Sequence, residues 1–293
     1  PVRTPAPRIA ALTSIAMIAF ALNSVFGRLA LGLVAEGAAP IDPASYTAIR
    51  IGTGALALAL IVGVTRGASG LLALRRGADW RMVAALAVYM AFFSAAYLTI
   101  ATGEGALVVF GAVQATMISA ALLGGERFGA QGWAGLAVAI GGMVWLLLPG
   151  ATAPDPVGAA LIAVAGIGWG LYSLLGRGAA DPLAATARNF LWCVPAGAAL
   201  ALLWPAETHL TAEGIALATA SGAISSGCGY VIWYAALRGL TAGQASIVQL
   251  SVPVIAAAGG ILFAGEDLTL RFAGASLLTL GGLFLFLRAT RRR

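Results

Sequence analysis

Charge is what this 293-residue sequence has least of. Only 10% of its residues are charged, against 60% hydrophobic, and the mean hydropathy is +0.95. A soluble domain carries about a quarter charged residues and under half apolar ones. A single soluble globular domain is therefore excluded, and so is a disordered chain. Lysine is absent, and all 17 basic residues are arginine. The net charge of +6 does not imply nucleic acid as a partner. That would need a basic face on a soluble fold, whereas these arginines are scattered between apolar runs. Histidine occurs once, as His209, which excludes a histidine-built metal site. The two cysteines, Cys193 and Cys228, lie inside apolar runs and read as small packing residues rather than a disulfide. No HExxH, GxSxG, Walker A or CxxC pattern occurs, so neither an enzyme nor a cofactor is expected. Gly166-Ile167-Gly168-Trp169-Gly170 has dinucleotide-loop spacing, but it sits in an apolar run with no strand before it. Those glycines predict close helix packing.

What is present is hydrophobic length. A membrane helix needs about 20 largely apolar residues. Ten such segments fit: 9–27, 44–65, 82–102, 105–123, 132–148, 156–175, 184–204, 214–236, 243–264 and 272–287. Turn and cap residues separate them, among them Asp42-Pro43, Gly124-Gly125-Glu126-Arg127, Pro149-Gly150, Asp181-Pro182 and Gly265-Glu266-Asp267. The short connections predict a compact bundle without an extramembrane domain. The first segment, preceded by Arg3 and Arg8, has the look of a signal peptide, but it carries Asn23 and Ser24 and is copied later in the chain. The start at Pro1 predicts a trimmed N-terminus.

Arginine counting sets the orientation, because cytoplasmic flanks are enriched in basic residues. With a cytoplasmic N-terminus, only Arg28, Arg50 and Arg271 fall outside, and the other 14 arginines fall inside. Both termini are expected in the cytoplasm. Trp80, Trp133 and Trp204 stand at span ends and read as interfacial anchors.

The chain also repeats itself. Shifted by 140 residues, 96–148 aligns with 236–288 without a gap. Gly103 meets Gly243, Gly125-Glu126 meets Gly265-Glu266, and Gly141-Gly142 meets Gly281-Gly282. A shift of 149 pairs Ser24 through Arg28 with Ser173 through Arg177, and a shift of 139 pairs Asp42-Pro43 with Asp181-Pro182. Each copy is five helices: residues 1–153 and 154–293. Five is odd, so the second copy enters the membrane from the opposite side. The expected fold is an all-α integral membrane protein of ten transmembrane helices in two inverted five-helix repeats. Glu126 caps the bundle at one end and Glu266 at the other. Inverted repeats are the architecture of alternating-access carriers, which hold substrate near the midplane between the halves. One copy pair suffices for function as a monomer and does not forbid oligomers.

The stretch from Pro253-Val254-Ile255 through Gly265-Glu266-Asp267-Leu268-Thr269 to Gly281-Gly282 resembles the second repeat of EamA-like members of the drug/metabolite transporter superfamily. Gly125-Glu126-Arg127 and Gly141-Gly142 match the first repeat more loosely, and Val113 stands opposite Pro253. The resemblance covers nearly the whole chain. It implies export of amino acids, other metabolites or drugs across the bacterial inner membrane, with small-molecule substrate and membrane lipid as partners. The apolar core is most similar to bacterial amino-acid exporters.

Polar and aromatic side chains at membrane depth are the candidate cavity residues, because each is costly in lipid. Helix one presents Phe20, Asn23 and Ser24 on one face, and helix six presents Trp169, Tyr172 and Ser173 at matching positions. Helix three carries Tyr89, Phe93 and Tyr97, and helix eight carries Tyr230 and Trp233. Helices four and nine add Gln114 and Gln249, whose amides donate and accept without charge. The competing reading for each is packing or an interhelical hydrogen bond. Pro253 is expected to kink helix nine and serve as a gate hinge.

No acid falls mid-span. This predicts no midplane proton relay, and a carrier that runs down the solute gradient. The same scarcity predicts a cavity of neutral polar and aromatic residues, unsuited to phosphate-bearing solutes. A multidrug exporter and a passive channel remain the alternatives; an intramembrane enzyme lacks a nucleophile–base or metal constellation.

Overall fold

The computed structural model describes residues 6–31, 39–96, 102–148, 155–203, 208–264 and 269–291. They form ten helices: α1 (Ala6–Ala30), α2 (Pro43–Ala73), α3 (Trp80–Ala96), α4 (Thr102–Leu123), α5 (Ala130–Leu147), α6 (Pro156–Gly176), α7 (Pro182–Leu203), α8 (Ala212–Leu237), α9 and α10 (Leu270–Arg291). Helix α9 comes in two pieces, α9a (Ala242–Val248) and α9b (Ser251–Ala264). Among the described residues nine helices are long and apolar enough to span a membrane, and α3 is shorter. All ten coincide with segments expected from hydropathy. Tyr97 and Glu266 lie outside the described residues.

Several helices start for the same chemical reason. An Asp-Pro pair opens α2, α6 and α7. Proline at the first helical position forgoes an amide the helix could not pair anyway, and the aspartate accepts from the next free amides. Asp42 accepts from Ser45 N at 2.9 Å, Asp155 from Gly158 N at 2.7 Å, and Asp181 from Ala184 N at 3.1 Å. Helix α4 ends at Gly125, whose φ of 85° favours glycine.

Glu126, just beyond, caps a different helix. Its carboxylate accepts from Ala242 N at 2.7 Å and Gly243 N at 3.1 Å, the free amides at the start of α9a. It thereby ties the α4–α5 turn to the second half of the chain. Glu126→Ala is expected to lower stability by about 1 kcal/mol, the usual worth of a helix cap. A melting temperature in detergent unchanged from the parent would remove this role.

Without a hydrophobic drive between helices in lipid, small residues must let backbones approach closely. The Gly166–Gly170 run does this twice. A Cβ on Gly166 would lie 2.7 Å from the Val109 carbonyl of α4, and one on Gly168 would lie 3.0 Å from the Ala85 carbonyl of α3. The glycines thus wedge α6 between α3 and α4. At the α5–α10 crossing, a Cβ on Gly142 would lie 2.8 Å from the Ala275 carbonyl, and one on Gly282 would lie 2.6 Å from the Gly135 carbonyl.

The packing partners form a regular pattern. Helix α2 packs on α7, α4 on α9 and α5 on α10. The remaining large contacts come in corresponding pairs: α3 on α6 with α8 on α1, α4 on α6 with α9 on α1, and α2 on α8 with α7 on α3.

Candidate functional site

A cavity of about 490 Å³ enters the bundle from one end. Its mouth is lined by Arg28 and Leu31 at the end of α1, Leu147 at the end of α5, and Thr269, Arg271 and Phe272 around the start of α10. Its floor is aromatic. The Trp169 ring lies 5.2 Å from Phe20, 5.1 Å from Tyr89 and 4.8 Å from Tyr230, centre to centre. These tilted and edge-to-face arrangements are the ones aromatic quadrupoles favour. The Trp169 indole donates to Gln249 Oε1 at 2.6 Å, and the Gln249 amide nitrogen donates to Ala245 O at 3.0 Å. Gln249 reaches the floor because α9 is interrupted there, at Gln249–Leu250, four residues ahead of the amide that Pro253 lacks.

Of the residues expected in the cavity, Asn23, Ser24, Tyr89, Phe93, Trp169, Tyr230 and Gln249 line it, as does Pro253. Four others lie elsewhere. Gln114 is buried between α4 and α9a, donating to Ser246 O at 2.9 Å and accepting from Ser246 Oγ at 2.5 Å. Tyr172, Ser173 and Trp233 are fully buried beyond the floor. There the Trp233 indole donates to Ser173 Oγ at 3.1 Å, and Asn189 donates to the Tyr172 hydroxyl at 3.4 Å.

These residues form a buried layer between the floor and the opposite end of the bundle. Past the buried aromatic layer, Arg66 of α2 forms an ion pair with Asp181, with one Nη2–Oδ1 contact at 3.0 Å. Arg188 donates to Gly77 O at 2.9 Å. The Arg66 guanidinium holds the Asp181 carboxyl below the usual carboxylate range. A depressed carboxyl contributes above its unfolded pKa, near 4, and loses that contribution only as pH falls through the lowered value. The pair is half exposed and screened, and so contributes under about 1 kcal/mol. Wild type and Asp181→Asn are expected to share one transport–pH profile between pH 5 and 8. A profile that flattens only in the variant would contradict this.

One residue corrects the sequence expectation outright. Arginine counting treats Arg50 as flanking charge on the outer side, and the scarcity of charge predicts a neutral cavity. Arg50 instead lines the cavity and is 2% exposed. Its Nε donates to Ser226 Oγ at 2.8 Å and its Nη2 to the Tyr230 hydroxyl at 2.9 Å. Its guanidinium carbon lies 5.8 Å from the centre of the Tyr89 ring. The expected span 44–65 already contained the signal, since Arg50 stands about 10 Å along α2 from Pro43.

The partners of Arg50 come from a feature that hydropathy does not encode. Residues Ser221–Cys228 of α8 form a π-helix. In a regular helix at 100° per residue, Ser221 and Ser226 would point about 140° apart. The widened turn brings both against α2, where the Tyr46 hydroxyl donates to Ser221 Oγ at 2.8 Å and Arg50 donates to Ser226. Ser221 in turn donates to Asn23 Oδ1 at 2.5 Å.

The model of the EamA-like transporter family matches residues 156–288. A Pseudomonas aeruginosa protein named "Uncharacterized protein PA1977" is 48% identical over 283 residues, spanning 97% of this chain and 96% of its own. The chain belongs to the EamA-like transporter family. Members of the family are membrane transporters rather than enzymes. A solved structure described only as a crystal structure of a protein superposes with a TM-score of 0.76 at 23% identity, covering 96% of this chain and 99% of that one. That likeness shows a shared fold over nearly the whole chain. As an EamA-like transporter, the protein is a multi-pass membrane protein with a small-molecule substrate.

Proposed function

We propose that the protein is a secondary carrier of the bacterial inner membrane that exports amino acids or similar small metabolites by alternating access. The supporting observation is a cavity that opens at one end and stops on a floor built by both halves: Phe20 and Tyr89 from the first, Trp169, Tyr230 and Gln249 from the second. The fully buried layer of Tyr172, Ser173 and Trp233 beyond the floor disfavours a passive channel. The volume falls in the range of small-molecule sites.

Two inverted halves account for the packing pattern. Helices α1 to α5 correspond to α6 to α10, and every major contact then maps onto itself or onto another. The contact of Gly142 with Ala275 becomes that of Gly282 with Gly135 under the 140 shift. The same correspondence separates the candidate residues. Asn23 and Ser24 line the open side, while their mates Tyr172 and Ser173 are buried on the closed side. Phe93 lines the open side, while its mate Trp233 is buried. In the alternative state these roles exchange, with Pro253 as the hinge of α9 and Glu126 releasing α9a.

With both termini cytoplasmic, the cavity faces outward. Among the described residues lining it there is no carboxylate, which favours a facilitator over a proton-coupled carrier and disfavours cationic drugs as substrates. Cells producing the protein should grow under otherwise inhibitory loads of dipeptides that release amino acids. Failure to relieve inhibition by any amino acid would remove this substrate class. A strict requirement for an imposed pH gradient in proteoliposomes would remove the facilitator mechanism.

A further inference from the structure

Arg50 is a buried cation whose hydrogen-bonding partners are neutral. Ser226 and Tyr230 accept from it, and the neutral Tyr89 side chain adjoins it, with the ring centre 5.8 Å from the guanidinium carbon. Among the described residues no carboxylate pairs with it, and none lines the cavity. Asp42, the acid two turns earlier on the same chain segment, is occupied by the amides of Ala44, Ser45 and His209. Withdrawing a charge from water costs several kcal/mol unless a counter-ion compensates, and charges kept inside membrane bundles mark solute pathways.

The surroundings of Arg50 describe the missing counter-ion. Tyr89 and Tyr230 touch both Arg50 and Trp169, so the cation adjoins the aromatic floor. A bound molecule that places an anionic group at Arg50 lays its remaining atoms over Trp169, Phe20 and Phe93. Arg28 and Arg271 also line the route, but at the mouth, where water screens them. A single desolvated cation matches a singly charged anion. A phosphate monoester would bring a second negative charge to a floor with one cation.

We propose that Arg50 is the anion anchor of the cavity and that the transported solute is an amphipathic monocarboxylate. Its carboxylate pairs with the guanidinium, and its apolar part stacks on the aromatic floor. This rests on the carrier reading above and narrows its substrate class. The position corresponding to Arg50 under the 139 shift is Asn189, so the cationic anchor belongs to one half alone.

The test uses purified full-length protein in lipid nanodiscs. Binding of amino acids and of short aliphatic and aromatic carboxylic acids is followed by tryptophan fluorescence. Each acid is compared with its own primary amide, and phenyl phosphate is included. Wild type is expected to bind the best acids at least tenfold more tightly than their amides. Arg50→Gln should bring acid and amide within about twofold of each other, and Arg50→Lys should keep part of the preference. Equal binding of acid and amide to wild type overturns the proposal. So does a preference that survives Arg50→Gln, tighter binding of phenyl phosphate than of any carboxylate, or no binding at all. The wild-type comparison stands even where a variant fails to fold. Flux in proteoliposomes separates the two readings. Amides that cross while acids do not defeat the anchor and leave the carrier. Acids that bind through Arg50 but never cross defeat the carrier and leave the anchor.

Discussion

Gly282→Val is expected to cost the protein most of its folded yield. The first added carbon would lie 2.6 Å from the Gly135 carbonyl oxygen and closer still to the Ala139 amide. Both are backbone groups on a facing helix, so no side-chain rotation relieves the clash. The α5–α10 pair, the most extensive helix contact in the molecule, would have to separate. Overpacking a tight contact costs about 1–3 kcal/mol and occasionally more, and here every route to relief moves a helix. The control is one residue away. A Cβ on Gly281 meets nothing within 4 Å, so Gly281→Ala should leave the melting temperature equal or slightly raised, since alanine favours helix. The same contrast holds between Gly142 and Gly141. Size-exclusion profiles and thermal melts of the four variants check this. Equal behaviour of Gly281 and Gly282 variants would refute the account of the crossing.

Trp169→Ala is expected to abolish most transport. Trp169 is 8% exposed and touches Phe20, Tyr89, Tyr172 and Tyr230. Removing the ring takes away the floor and leaves the Gln249 carbonyl without its donor. Large-to-small changes at buried tryptophan cost about 3–5 kcal/mol, and the vacated space joins the cavity. Efflux from proteoliposomes should fall at least tenfold. Trp169→Phe separates two contributions, since it keeps an aromatic surface but loses the indole N–H. Its flux should lie between the two. Wild-type flux in Trp169→Ala would mean that the floor is not on the solute path.

How much of this the sequence carried depends on the physics involved. Helix positions were legible because lipid imposes length and hydrophobicity on every crossing. The Asp-Pro starts were legible from local capping chemistry. The Gly166–Gly170 packing was legible because glycine in an apolar run has few other uses. Cavity membership was legible only in part. A helical face can be read, but not which end of the bundle is open, so Asn23 and Tyr172 looked equivalent while the structure puts only Asn23 on the cavity wall. Gln114 looked like a site residue because an amide in lipid must be satisfied, and Ser246 across the helix interface satisfies it. The burial of Arg50 escapes arginine counting, which treats every arginine as a flank. The π-turn at Ser221–Cys228, which seats Ser226 against Arg50, depends on packing between distant helices and leaves no periodic trace.

The α5–α10 crossing has a further meaning. On the two-halves reading proposed above, Gly142 on Ala275 and Gly282 on Gly135 are one contact seen from either side, as at the interface of a symmetric homodimer. Such a joint is indifferent to the covalent link between its partners. Residues 1–153 and 154–293, produced as separate chains, would still present each other with a self-complementary seam. Arg50 and Asn189, paired by the 139 shift, depart from that correspondence: Arg50 lines the cavity, and Asn189 is buried beside Tyr172. On the same reading, the two sides are unlike at the point where charge meets the cavity.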